Sequence, residues 1–234
     1  MGAAISRARN ATRFLAAIFS SVIMLAAASE ARAQQQGYDI SSGGQPTITG
    51  GLNGTVTGSA DVTQNLVVTV NFGEVSPANS NQVVKVVVPV AVRSIQPYQV
   101  TAAAVTSFGG DARAVQATDI GFGIQNMRPL GYKAQMCTRS THQLSTLFNN
   151  DPAASATLDS ASRVAYPSTV SNVGAGGVIL MTGPKLTQGT GSSRITVDGW
   201  AFDAVFVITP SFYAPGNFSV TFTFSITPGP NVLC

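Results

Sequence analysis

WAFDAVFVITPSFYAPGNFSVTFTFSI, residues 200–226, decides the fold. Trp200, Phe202, Ala204, Phe206 and Ile208 alternate with Ala201, Asp203, Val205, Val207 and Thr209. Beyond the turn at 210–216, Phe218, Val220, Phe222, Phe224 and Ile226 alternate with Ser219, Thr221, Thr223, Ser225 and Thr227. At about 100° per residue a helix would scatter these aromatics around its circumference, whereas a strand sends them all to one side. Pro215-Gly216 suits the centre of a type II turn, because Gly tolerates positive φ. The stretch reads as an antiparallel pair with large side chains on one face and hydroxyls on the other.

The same period recurs upstream. Over 61–72, Val62, Leu66, Val68, Val70 and Phe72 alternate with Thr63, Asn65, Thr69 and Asn71, predicting one strand. Residues 82–93 are almost continuous valine, a strand covered on both faces or at an interface, with Pro89 marking an edge or bulge. Further strands are expected over 98–105 and around Ile120, Phe122 and Ile124. Gly121 and Gly123, which alternate with these apolar residues, mark a close backbone approach rather than a phosphate cradle. In 139–150, Leu144, Leu147 and Phe148 fall at helical spacing behind a capping box of Ser140 and Gln143, predicting a short helix in a crossover loop that leaves His142 solvated. Residues 151–177 read as a long irregular connection.

Even strand spacing, Gly/Pro turns and one buried face per strand imply two packed sheets. The expected fold is an all-β antiparallel sandwich of immunoglobulin-like or jelly-roll type, one domain over 61–234. Residues 34–60 form a Gly/Gln/Thr-rich arm in which Ile48, Leu52 and Val56 share one parity. Such an arm pairs with a sheet edge, in the same molecule or a neighbour, or serves as a tether. The valine run 83–92 is the candidate acceptor edge.

Residues 1–33 read as a secretory signal peptide. Arg7, Arg9 and Arg13 precede an apolar stretch over 14–28, and Ala31-Arg32-Ala33 supplies the small residues before a cut at Gln34. The apolar run is shorter than the roughly 20 residues that span a bilayer, and no apolar span of that length follows. The leader carries the whole formal charge of +3, and residues 34–234 balance nine basic against nine acidic side chains. A nucleic-acid partner held by a basic field is therefore unsupported. Only 10% of the chain is charged, against about 25% in an average domain, which excludes a coiled coil or an acidic or basic tail. The expected location is exported: periplasm, cell surface or extracellular.

The two cysteines are Cys137 and Cys234. In an oxidising compartment an even pair most simply forms one disulfide, here closing a loop of about 100 residues that contributes up to roughly 4–5 kcal/mol in the chain-entropy account. The competing reading makes Cys137 a nucleophile with His142, the one histidine, as its base. Other catalytic signatures are missing: there is no GxSxG, HExxH, P-loop, strand-borne GxGxxG or DxDxDG. Asp198 and Asp203 have odd separation and fall on opposite faces of a strand, so they make no hydrolytic dyad. No metal or cofactor is implied. Trp200, Tyr98, Phe212 and Tyr213 are the aromatics that could stack on a sugar ring. Trp200 also continues the stripe of Phe202 and Phe206, which leaves Phe212 and Tyr213, in the turn, as the candidate ligand contacts.

Two segments carry a family resemblance. Val70-Asn-Phe-Gly-Glu-Val-Ser-Pro77 resembles the FG-x-x-x-P strand-to-turn segment of bacterial exported β-sandwich domains of the spore coat protein U-like and fimbrial subunit type. Ala214-Pro-Gly-Asn-Phe-Ser-Val-Thr-Phe-Thr-Phe-Ser-Ile226 is similar to the last strand of such domains. Chaperone–usher pilins borrow that strand, whereas this chain has one of its own. The resemblance implies a non-enzymatic structural or adhesive surface component whose partners are itself or other envelope proteins. The alternatives are a secreted carbohydrate-binding module, a cell-wall-acting hydrolase, and a periplasmic carrier with a small apolar pocket.

Overall fold

The computed structural model describes residues 37–50, 55–61, 64–75, 82–107, 113–131, 141–186, 199–214 and 216–232. The leader 1–33, Leu52, Cys137, Asp198 and Cys234 lie outside them. The fold is an all-β sandwich, and every strand pair among the described residues is antiparallel.

One sheet contains β1 (Tyr38–Ser42), β5 (Val84–Ser94), β12 (Gly199–Ile208) and β7 (Ile120–Leu130), in that order, with β2 (Thr47–Thr49) also paired to β5. The other runs β3 (Thr55–Asp61), β4 (Asn65–Gly73), β13 (Phe218–Pro228), β6 (Tyr98–Ser107), β11 (Val178–Gly183), β8 (Gln143–Leu144). A small separate ribbon joins β9 (Thr157–Leu158) to β10 (Val164–Ala165). A single helical turn, α1 (Val170–Val173), follows it.

The large side chains of β12 and β13 lie in the core, but the two strands are not paired with each other. β12 sits between β5 and β7, and β13 sits between β4 and β6 in the opposite sheet. The expected antiparallel pair is thus corrected to a crossover between sheets. Pairing side by side would leave both aromatic stripes needing cover, whereas facing each other they cover one another. Phe206 meets Phe222 edge to face at 4.7 Å between centroids, and Phe202 meets Phe224 at 6.4 Å. Phe122 of β7 completes the cluster, 5.2 Å from Phe206 and 5.0 Å from Phe222. Edge-to-face aromatic pairs contribute about 0.5–1.5 kcal/mol beyond the area they bury.

The strand expected over 61–72 is two: β3 and β4 form a hairpin in which Asp61 faces Asn65. Within 34–60, Tyr38–Ser42 and Thr47–Thr49 lie along β5, and Thr55–Asp61 lies along β4. Ile48 sits opposite Val86, and Val56 opposite Val70. Between β1 and β2 the chain detours past Pro89, and Gly43 N–H donates to the Pro89 carbonyl at 2.8 Å. Carbonyl and amide of one strand residue point the same way, so the missing Pro N–H faces this detour and no ladder bond is forfeited.

No helix runs over 142–150 of the stretch expected to be helical, 139–150. Gln143–Leu144 is instead a short strand against Thr182 and Met181. A turn follows, with Phe148 N–H donating to the Ser145 carbonyl. The helix-like spacing has a different origin: Phe148 is buried edge-on to Phe122 at 5.4 Å, while Leu147 is exposed. Helix occurs later, as α1 inside the connection read as irregular. Thr169 and Asn172 form its reciprocal capping box.

Candidate functional site

The long connection after β8 folds back over β7, and its return builds the site. Phe122 N–H donates to the Ser168 carbonyl at 3.0 Å, and Ile124 N–H to the Phe148 carbonyl at 2.7 Å. These bonds satisfy the outer edge of β7, which would otherwise be open to another strand. Lys85 reaches from β5 to Asp151 at 2.9 Å and ties the connection to the sheet. Gly121 and Gly123 permit the approach. A Cβ on Gly121 would lie 2.8 Å from the Tyr166 ring, and one on Gly123 would meet the Asn150 carbonyl. These are the glycines expected to mark a close backbone approach.

Past this crossing the β9–β10 ribbon leans toward the turn that leaves β12, and a cleft of about 300 Å³ opens between them. One wall carries Arg163, Val164 and Tyr166, the other Thr209, Ser211 and Tyr213, with Asp119 also lining it. The walls are joined by the Tyr166 hydroxyl and the Thr209 hydroxyl at 2.8 Å. Burial raises the pKa of both Tyr166 and Tyr213, and the nearby Asp119 carboxylate raises each further. Both phenols therefore stay neutral through the physiological range. The Asp119 carboxylate accepts from the Gln116 N–H at 2.8 Å, which fixes its direction. Arg163 Nε donates to Asp159 at 2.9 Å, and the guanidinium remains largely in solvent.

Of the candidate ligand contacts Phe212 and Tyr213, Tyr213 is the one that lines the cleft. It is half-buried against the core, and Phe212, its neighbour in the chain, is 87% exposed. Trp200 and Tyr98 do not join them: both are fully buried. Of the arm residues, Val56 lines a second cavity of about 310 Å³ between the sheets, together with Leu66, Val68 and Val88, while Ile48 packs on the core from β2. The arm residues and the aromatic turn are therefore in separate places.

His142, expected in solvent, is buried. Its Nδ1 shares a 3.0 Å hydrogen bond with the Tyr98 hydroxyl, and its ring stacks on Trp200. Burial lowers its pKa to about 4, so it is neutral at pH 7. The described aspartates with side-chain ion pairs are held by structure: Asp39 by Arg93, Asp151 by Lys85, Asp159 by Arg163 and Asp203 by Arg128. Among the described residues, no three His, Cys, Asp or Glu cluster to hold a metal ion.

Sequence reasoning missed Tyr166, Arg163 and Asp119 as partners of the aromatic turn. Their one local signal is the i,i+4 spacing of Asp159 and Arg163, which closes the ribbon's turn. The fold and cleft together define a class: a double-sheet β-sandwich with an aromatic and hydroxyl-lined cleft at the start of an inter-sheet crossover. No protein-family model, curated protein or solved structure matches the chain.

Proposed function

We propose that the chain is an exported, non-enzymatic component of the bacterial cell surface, structural or adhesive in role, of the spore coat protein U-like or fimbrial type. The observation that supports this best is how the polar groups are used. Four described aspartates hold sheet and loop ion pairs and a fifth, Asp119, caps a turn. Converging acid and base groups, which hydrolysis requires, are not what these side chains supply. The surface offers instead a mixed aromatic and hydroxyl cleft on a rigid double sheet, which is the makings of a contact site. The leader-like residues 1–33 add the route out of the cell. Among the described residues no helix is long and apolar enough to cross a membrane.

The test is cell fractionation with intact-mass measurement. The proposal expects a chain beginning at Gln34 in the envelope or medium, with no turnover of cell-wall polymers. A full-length chain retained in the cytoplasm, or release of soluble fragments from a wall polymer, contradicts it.

A further inference from the structure

We infer that the cleft between the β9–β10 ribbon and the turn after β12 is a binding site for an uncharged saccharide. The inference rests on the surface-adhesive reading and gives it a ligand class.

Shape comes first. The cleft, at about 300 Å³, is at the lower end of cavities that hold small ligands, which suits one or two sugar rings. Its walls combine the two surfaces a pyranose needs. Tyr166 and Tyr213 offer aromatic carbon to the apolar C–H face of a ring, and Thr209 and Ser211 offer hydroxyls that donate or accept. Asp119 and Arg163 add one strong acceptor and one fork of donors, the usual partners of ring hydroxyls.

The lips are apolar in a way the fold does not require. Phe212 is more exposed than any other large hydrophobic side chain among the described residues, at 87%. Leu158 lies directly across the ribbon from Val164, so the two share a face, and Val164 lines the cleft. Leu158 is 69% exposed, which extends that lip into solvent. Val164 and Pro210 thus put apolar groups on the two walls, and exposed Leu158 and Phe212 neighbour lining residues on either side.

Charge selects the class of sugar. Arg163 is already paired with Asp159, and Asp119 brings a negative group to the same cleft. The two carboxylates outweigh the one guanidinium, so a carboxylated or sulfated glycan is repelled and a neutral one loses little. The site is also held in place before any ligand arrives. The Tyr166–Thr209 bond joins the walls, Gly121 receives the Tyr166 ring, and Ala214 N–H donates to the Arg113 carbonyl at 2.9 Å behind the turn. Preorganisation of this kind lowers the entropy cost of binding.

The experiment uses the mature chain on an array of neutral and acidic oligosaccharides, followed by NMR titration with free glucose, mannose, galactose and N-acetylglucosamine. Binding to neutral glycans is expected, with shifts confined to the cleft. Phe212→Ala and Tyr213→Ala should each weaken it at least tenfold. Val105→Ala, an exposed apolar residue of β6, should leave it unchanged. Phe212 has no core contact to lose, so its variant separates binding from folding. No response to any neutral sugar, binding to acidic glycans alone, or full binding by Phe212→Ala overturns the inference. Fractionation reads the underlying proposal separately: a displayed chain that ignores sugars sinks only the saccharide site, and a cytoplasmic chain sinks the surface role.

Discussion

The imidazole of His142 lies flat on the indole of Trp200, with ring centroids 3.7 Å apart and planes 14° from parallel. The stack pins the residue just before β8 to the first residues of β12. Tyr98 of the opposite sheet holds the same imidazole by its hydroxyl. One side chain therefore bridges both sheets.

That bridge makes stability depend on pH. Nδ1 is bonded to Tyr98, and Nε2 has no partner among the described residues, so a second ring proton would be buried without an acceptor. The unfolded chain protonates His142 near pH 6.5 and the folded one only near pH 4. Its contribution is present in full above about pH 6.5 and is lost as the pH falls through 4. The loss is of order 3 kcal/mol. Thermal melting from pH 7 to pH 4 should show a fall in Tm that His142→Gln largely removes. An equal fall in both proteins contradicts the assignment.

Gly123→Ala should destabilise the fold, because the new methyl meets the Asn150 carbonyl where the connection crosses β7. Overpacking of this kind costs about 1–3 kcal/mol. Gly176→Ala, with nothing within 4 Å of the new methyl, is the control. Urea titration reads both, and equal midpoints would contradict the crossing.

Ile40 is buried on β1 and pairs with Val92, whereas Ile48 on β2 is partly exposed. Ile40→Ala should cost about 2–4 kcal/mol and Ile48→Ala clearly less. Neither should change the molecular mass seen by light scattering if β1 and β2 pair within the molecule. Dissociation of a larger species on either change would instead mark strand exchange.

Phe212→Ala should shift stability by no more than about 0.5 kcal/mol, as a side chain in solvent does. A large loss of Tm would show that Phe212 packs on something and remove it as a contact residue.

The disulfide read from Cys137 and Cys234 predicts no free thiol in exported protein and two after denaturing reduction, measured by intact mass after alkylation. Two thiols alkylated in the native protein would reopen Cys137 as a reactive group.

Much of the fold was legible because its strands alternate strictly. In β4 and β13 the parity of Leu66–Phe72 and Phe218–Ile226 coincides with burial residue by residue. What alternation does not carry is partner choice. Nothing local tells β12 to face β13 across the core rather than lie beside it, since either arrangement uses the same parity. Leu144, Leu147 and Phe148 mimicked a helix because a two-residue strand followed by a turn has similar spacing. His142 had no local signal at all: its burial depends on Trp200 and Tyr98, both far away in sequence. The cleft was half legible. Phe212 and Tyr213 stand out in a turn, while Tyr166 and Arg163 come from a stretch whose route over β7 is set by tertiary contacts.

Labelling of intact cells with an antibody against the β9–β10 ribbon tests the central claim, a displayed surface sandwich, most directly. The account predicts labelling without permeabilisation, on a chain whose mass begins at Gln34. Labelling that appears only after lysis, on a chain that keeps residues 1–33, would contradict it.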